Sequence, residues 1–132
     1  MQPHRFTVRV YYEDTDFSGN VYHAAYLHFF ERARTEFLRD QGIHHSELIK
    51  EGIAFAVRSM EIDFRRAAHI DDELVVLTEL SEMSGARFVL AQTITRGEEV
   101  IATARVVAVA MRTDGRPTRL PRALLAAFEA EG

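Results

Sequence analysis

The chain has 132 residues, a length that suits one domain. A hydrophobic content of 47% excludes a disordered chain, and a formal charge of −4 offers nucleic acid no basic surface. Cysteine is absent, which excludes disulfides, thiol nucleophiles and cysteine metal sites.

Residues 1–12 carry no apolar core of the signal-peptide kind. No apolar run approaches the ~20 residues that span a bilayer. The expectation is a soluble, cytoplasmic domain without a transmembrane segment. Phe6, Val8, Val10 and Tyr12 alternate with Thr7, Arg9 and Tyr11, which predicts a half-buried strand. An acidic turn with Glu13, Asp14 and Asp16 follows, rich in Ser, Gly and Asn. Asn20 then reads as the N-cap of a long helix whose first residues are Val21, Tyr22 and His23. Tyr22, Tyr26, Phe29, Phe30, Ala33 and Phe37 recur at helical spacing as one apolar face. Arg32 and Glu36, four apart, predict an ion pair, and Gly42 a stop.

A shorter helix is expected over residues 46–51, ended by Gly52. Alternation returns at Phe55 and Val57, then changes phase before Met60, Ile62 and Phe64. The slip at Arg58 and Ser59 reads either as a β-bulge or as a strand partly apolar on both faces. Residues 67–72 form a polar corner, and strands are expected over 74–82, 87–96 and 99–111, joined by Ser84-Gly85 and Gly97-Glu98. In the middle strand Phe88, Leu90 and Ile94 share one face. Pro121 fits the first turn of a last helix that carries Leu124, Leu125 and Phe128. Tight turns imply antiparallel pairing, and one long aromatic helix must bury its face on the sheet. The predicted fold is therefore α+β: a curved antiparallel sheet of about five strands around one long helix, the hotdog arrangement, over residues 1–132.

The chemistry concentrates where the acidic turn meets the helix. The first amides of a helix lack intrahelical acceptors, and their dipoles favour negative charge. A carboxylate (Asp16), a histidine (His23) and free N–H donors thus fall within one turn, as acyl chemistry requires.

The run Tyr12-Glu13-Asp14-Thr15-Asp16, with Gly19, Val21-Tyr22-His23, Tyr26-Leu27, Glu31-Arg32-Ala33-Arg34, Phe64 and Asp71-Asp72, resembles the hotdog thioesterases of the 4-hydroxybenzoyl-CoA thioesterase type. Within them it is most similar to the Tol–Pal-associated YbgC-type acyl-CoA thioesterase group. The resemblance implies hydrolysis of an acyl-CoA, or acyl-carrier-protein, thioester without a cofactor or metal. It implies Asp16 as catalytic aspartate, nucleophile or general base, and the His23 amide as oxyanion donor, with the His23 side chain also assisting. It also implies a homodimer or dimer of dimers with the pocket between subunits. Tyr22, Ser59 beside the bulge and Arg87 are the candidate substrate-binding residues, Arg87 for a CoA phosphate. Where the YbgC-type group has proline before an alanine, this chain has Ala67-Ala68. Of the basic cluster that some relatives carry after the third strand, residues 84–87 keep only Arg87.

Other residues read more plainly. His4, His28, His44, His45 and His69 lack metal-ligand spacing, and His44-His45 is expected in a solvated connection. Glu31 is expected in a structural ion pair rather than as a second catalytic carboxylate. Ser18, Ser46 and Ser81 show no arranged His–Asp partners for a serine triad. Two further functions share the fold expectation: an acyl-binding module without turnover, and a hydratase or dehydratase acting on a thioester. Asp16 favours the hydrolase, and the acid–base pattern of a hydratase is not found.

Overall fold

A computed structural model describes residues 3–131. The element order is β1 (His4–Arg9), α1 (His23–Asp40), α2 (His45–Lys50), β2 (Ile53–Phe64), β3 (Glu73–Ser84), β4 (Arg87–Arg96), β5 (Glu99–Arg112) and α3 (Arg122–Glu131). The strands form one 5-stranded antiparallel sheet in the order β1-β3-β4-β5-β2. This is the α+β hotdog arrangement expected from the sequence. Tyr12, read as a strand residue, instead opens a short 3-10 turn and is exposed, because the carboxylate of Asp14 draws back onto the Tyr11 N–H at 2.9 Å and bends the chain there.

The apolar stripe of α1 is buried as its spacing predicts: Tyr26, Phe29, Phe30, Ala33 and Phe37 all lie in the core. Opposite them stand Leu74, Val76 and Leu80 of β3, Leu90 and Ile94 of β4, and Ala102, Ala104, Val106 and Ala108 of β5. Truncating one of the helix's phenylalanines to alanine costs about 3–5 kcal/mol. Helix α1 closes with a Schellman motif: the Gly42 N–H donates to the Arg39 carbonyl and the Ile43 N–H to the Leu38 carbonyl, both at 2.9 Å. Gly42 takes φ +79° there, a conformation that a side chain would strain.

The phase slip in β2 is a bulge. Its register against β5 shifts between Val57 and Ser59, so Ile53 and Phe55 before it, and Met60 and Ile62 after it, all pack on the core side. Among the described residues β2 pairs only with β5, which leaves its other edge open. On α1, Glu36 pairs with Arg39 at 3.5 Å rather than with Arg32. Pro121 lies just before α3, accepting from the N–H groups of Leu124 and Leu125. Leu124 is buried and Leu125 exposed, while the side chain of Phe128 lies outside the described residues. No helix among the described residues is long and apolar enough to cross a membrane.

Candidate active site

The acidic turn folds back on itself before the helix begins. Asp16 and Gly19 close a tight loop, with the Asp16 N–H donating to the Asn20 carbonyl at 2.8 Å and the Gly19 N–H to the Asp16 carbonyl at 3.1 Å. Gly19 adopts φ +84°, which the reversal requires. One carboxylate oxygen of Asp16, Oδ1, accepts from the Ser18 hydroxyl at 2.6 Å, the Ser18 N–H at 2.8 Å and the Asn20 N–H at 3.3 Å. The other oxygen accepts no hydrogen bond among the described residues. The Ser18 hydroxyl, followed by the Ser18 backbone N–H, holds the Asp16 carboxyl below the usual aspartate range, so the group is ionised at neutral pH.

Helix α1 starts two residues later than the spacing predicts. Its N-cap is Tyr22, in extended conformation, and its first residue is His23. Asn20 caps nothing, because tertiary partners have taken the segment. The Val21 N–H donates to the Ala68 carbonyl at 2.9 Å and the Tyr22 N–H to the Asp14 carbonyl at 3.3 Å. Asn20 and Val21 are held as extended bridges to His69 and Thr15. The N–H groups of His23 and Ala24 find no acceptor among the described residues, so the open helix end now begins at His23.

Asp16, Tyr22 and His23 line one cleft of about 570 Å³, with Tyr26, Phe64 and residues 65–67 as its far wall. Phe64, at the end of β2, stacks on the His23 ring at 4.6 Å and meets Tyr26 edge-on at 5.3 Å. That wall is pinned from behind. The Tyr26 hydroxyl accepts the Ala68 N–H at 3.0 Å. Arg96 donates to Asp72 at 2.6 Å and to the Ala67 carbonyl at 3.2 Å. Burial pushes the Asp72 carboxyl up, but the His69 N–H and Arg96 outweigh it and hold the group ionised. Asp71 stands at φ +71° in this corner, the only non-glycine residue at positive φ among those described.

Ser59 and Arg87 lie apart from this cleft within one chain. Ser59 is exposed on β2 at the bulge, opposite Val107. Arg87 opens β4 opposite Val109, whereas Phe64 lies opposite Ala102, about 23 Å away along β5 at strand spacing. Arg87 also pairs with Glu82 at 3.6 Å. The ion pair expected for Glu31 is not formed among the described residues. Glu31 is exposed, and its helix neighbour Arg34 turns inward to donate to Gln92 Oε1 at 3.1 Å. His45 is not simply solvated: its ring meets Phe55 edge-on at 5.9 Å. Among the described residues no group of His, Asp and Glu is placed to hold a metal ion. The sequence reading missed the tie between Tyr26 and Ala68, which is 42 residues distant. It also missed Arg65 and Arg66 on the cleft wall, although the adjacent arginines that end an apolar strand were a visible signal.

A family model described as the thioesterase-like superfamily matches residues 10–128. The acyl-CoA thioesterase YbgC of Haemophilus influenzae is 46% identical over 125 residues, covering 93% of this chain and 92% of its own. The acyl-CoA thioester hydrolase YbgC of Escherichia coli O6:H1 is 41% identical over 127 residues, covering 95% of each. Among solved structures, a probable thioesterase from Bartonella henselae superposes with TM-score 0.83 at 49% identity, over 92% of this chain and 100% of its own. A 1,4-dihydroxy-2-naphthoyl-CoA thioesterase from Synechocystis gives TM-score 0.87 at 26% identity, over 94% of this chain and 93% of its own.

Proposed function

The chain belongs to the thioesterase-like superfamily and is an acyl-CoA thioester hydrolase of the YbgC type, and from that premise we propose that Asp16 and the start of α1 carry out the hydrolysis. The observation that carries this reading is the division of labour within one carboxylate. Asp16 Oδ1 is fixed by three donors, while its second oxygen accepts none among the described residues and the residue lines the cleft with His23.

The thioester carbonyl lies with its oxygen toward the N–H groups of His23 and Ala24. Negative charge develops on that oxygen as the carbonyl is attacked, and each such donor contributes roughly 2.7–4 kcal/mol to the transition state. Asp16, already ionised, either attacks the carbonyl carbon to form an anhydride that water then cleaves, or takes a proton from the attacking water. The bond to sulfur breaks and CoA leaves as the thiolate, which needs no strong acid beside it. Tyr22 and the His23–Phe64 stack form the walls that orient the acyl group. The His23 ring assists from that fixed position.

The active unit is a dimer through β2. The open edge of that strand carries Val57 at 50% and Phe64 at 41% exposure, apolar surface that pairing with a second copy covers. Two β2 strands side by side extend the sheet and place the cleft between subunits. Ser59 and Arg87 then act on a substrate bound largely by the neighbouring copy, Arg87 through a CoA phosphate.

The test is a panel of acyl-CoAs with a thiol reagent, run on the wild type and on Asp16→Asn. Wild type releases free CoA without loss of unsaturation, and Asp16→Asn lowers kcat at least about a hundredfold. Activity of Asp16→Asn within a few-fold of wild type removes the assignment. Turnover in ¹⁸O water separates the two routes, since label enters Asp16 only through the anhydride.

A further inference from the structure

The loop that carries Asp16 is anchored at one place beyond its own neighbourhood. The Ile70 N–H donates to the Gly19 carbonyl and the Val21 N–H to the Ala68 carbonyl, both at 2.9 Å, and Asn20 bridges to His69. Among the described residues the other backbone bonds of residues 16–21 are local. The corner at residues 67–72 therefore decides where the loop sits. The helix is fixed separately, since Ala25, Tyr26 and Phe29 are buried in the core. We infer that Arg96, through Asp72, is a positioning residue for the hydrolysis: it holds the corner on which the loop docks, and so sets the Asp16 carboxylate against the amides at the start of α1.

Arg96 is the last residue of β4. Its Nη1 donates to Asp72 Oδ2 at 2.6 Å and to the Ala67 carbonyl at 3.2 Å, and its Nη2 to Glu99 Oε1 at 3.4 Å. The same Asp72 oxygen accepts the His69 N–H at 2.9 Å. One guanidinium nitrogen thus joins the two ends of the corner, and one carboxylate oxygen joins its middle to β4. The Arg96 and Asp72 side chains are 25% and 22% exposed, the least exposed ion pair among the described residues, so water screens it less than the others. The hydrogen bond to Asp72 raises the Arg96 guanidinium above its usual value in spite of burial.

The corner needs such a hold. Asp71 stands at φ +71°, a conformation that strains a side chain and persists only where the surroundings enforce it. Its N–H donates to the Val10 carbonyl at 3.0 Å, and its carbonyl accepts from Arg9 at 2.8 Å. These bonds tie residue 71 to the β1 side, while Arg96 and Asp72 tie residues 67, 69 and 72. The loop docks on residues 68 and 70 between them. The Tyr26 hydroxyl adds one further tie, to the Ala68 N–H. Removing Arg96 loosens the corner at both ends without touching the substrate. A displacement of about 1 Å at the reacting group can cost up to about a hundredfold in rate, and loss of one clamp among several ties allows part of that.

The inference rests on the thioesterase reading. The test uses the best substrate of the acyl-CoA panel at 25 °C. Arg96→Met should lower kcat about tenfold and leave KM within about threefold, and Arg96→Lys should recover part of the loss. In the Asp16→Asn background the same change should cost about twofold or less, because the group it positions is already gone. A kcat of Arg96→Met within about twofold of wild type, an effect confined to KM, or the same fold-loss in both backgrounds overturns the inference. The second measurement needs neither turnover nor a variant. In wild type the Val21 and Ile70 amides should share the hydrogen-exchange protection of the His69 amide, which donates to Asp72, because corner and loop open as one unit. Protection kept by His69 but absent at Val21 and Ile70 overturns it. Failure to release CoA from any acyl-CoA, with the shared protection present, sinks the thioesterase reading and leaves the clamp.

Discussion

Replacing Tyr26 by phenylalanine separates the frame of the cleft from its chemistry. The phenol oxygen accepts the Ala68 N–H at 3.0 Å, and Ala68 is fully buried, so no water can replace it. Burial pushes the phenol above its usual range; the group is neutral, and the bond is an ordinary neutral one. Phenylalanine fills nearly the same volume, which leaves the loss of the acceptor as the main effect. An orphaned buried N–H costs about 1–3 kcal/mol. For a domain of this length about 3–4 °C of Tm corresponds to each kcal/mol, so the variant should melt roughly 3–12 °C lower. Scanning calorimetry on both proteins at pH 7 reads the shift directly. The acyl-CoA assay at 25 °C should show a smaller loss than Asp16→Asn, because the carboxylate and the helix amides stay in place. A Tm within about 1 °C of wild type would refute the claim that this bond secures the cleft wall.

Ser18→Ala removes the strongest donor to Asp16 and should move the acid limb of kcat/KM to higher pH. The sign follows from the depressed pKa: the ionised form is complete above it and is lost as pH falls through it, so raising the pKa brings that loss nearer neutrality. An unmoved limb in a pH–rate profile contradicts the role of Ser18. His23→Ala keeps the backbone donor and loses the Phe64 stack, so kcat should fall less than in Asp16→Asn; an equal or greater fall in parallel assays makes the ring the essential group. Asp14→Asn retains an acceptor for the Tyr11 N–H and should leave kcat within a few-fold, since Asp14 holds the turn and does not line the cleft. Light scattering at micromolar protein should give at least twice the chain mass of 15.1 kDa, and a fully active monomer removes the dimer.

Periodicity carried the secondary structure because local pattern and burial agree over most of the chain. The aromatic stripe of α1, the alternation of β3 to β5 and the slip in β2 each show in the sequence, since each residue's face is set by its own element's repeat. The Asp16 turn was equally legible: a carboxylate that bonds residues two and four positions ahead is a local matter. What the sequence by itself did not determine depends on partners far along the chain. The spacing places the start of α1 two residues early, because Ala68 takes the Val21 N–H and a folded-back Asp14 takes that of Tyr22, leaving Asn20 no helix end to cap. Glu31 reads as half of an ion pair on the helix surface until its neighbour Arg34 finds in Gln92, 58 residues away, an acceptor inside the sheet. Gln92 itself breaks the apolar row of β4 between Leu90 and Ile94, and only the meeting of α1 with β3 and β4 supplies the Phe30 carbonyl and Thr78 hydroxyl that make its burial tolerable. Tertiary structure decided these positions because a buried polar group must find a partner wherever the fold provides one, and sequence spacing does not encode that meeting.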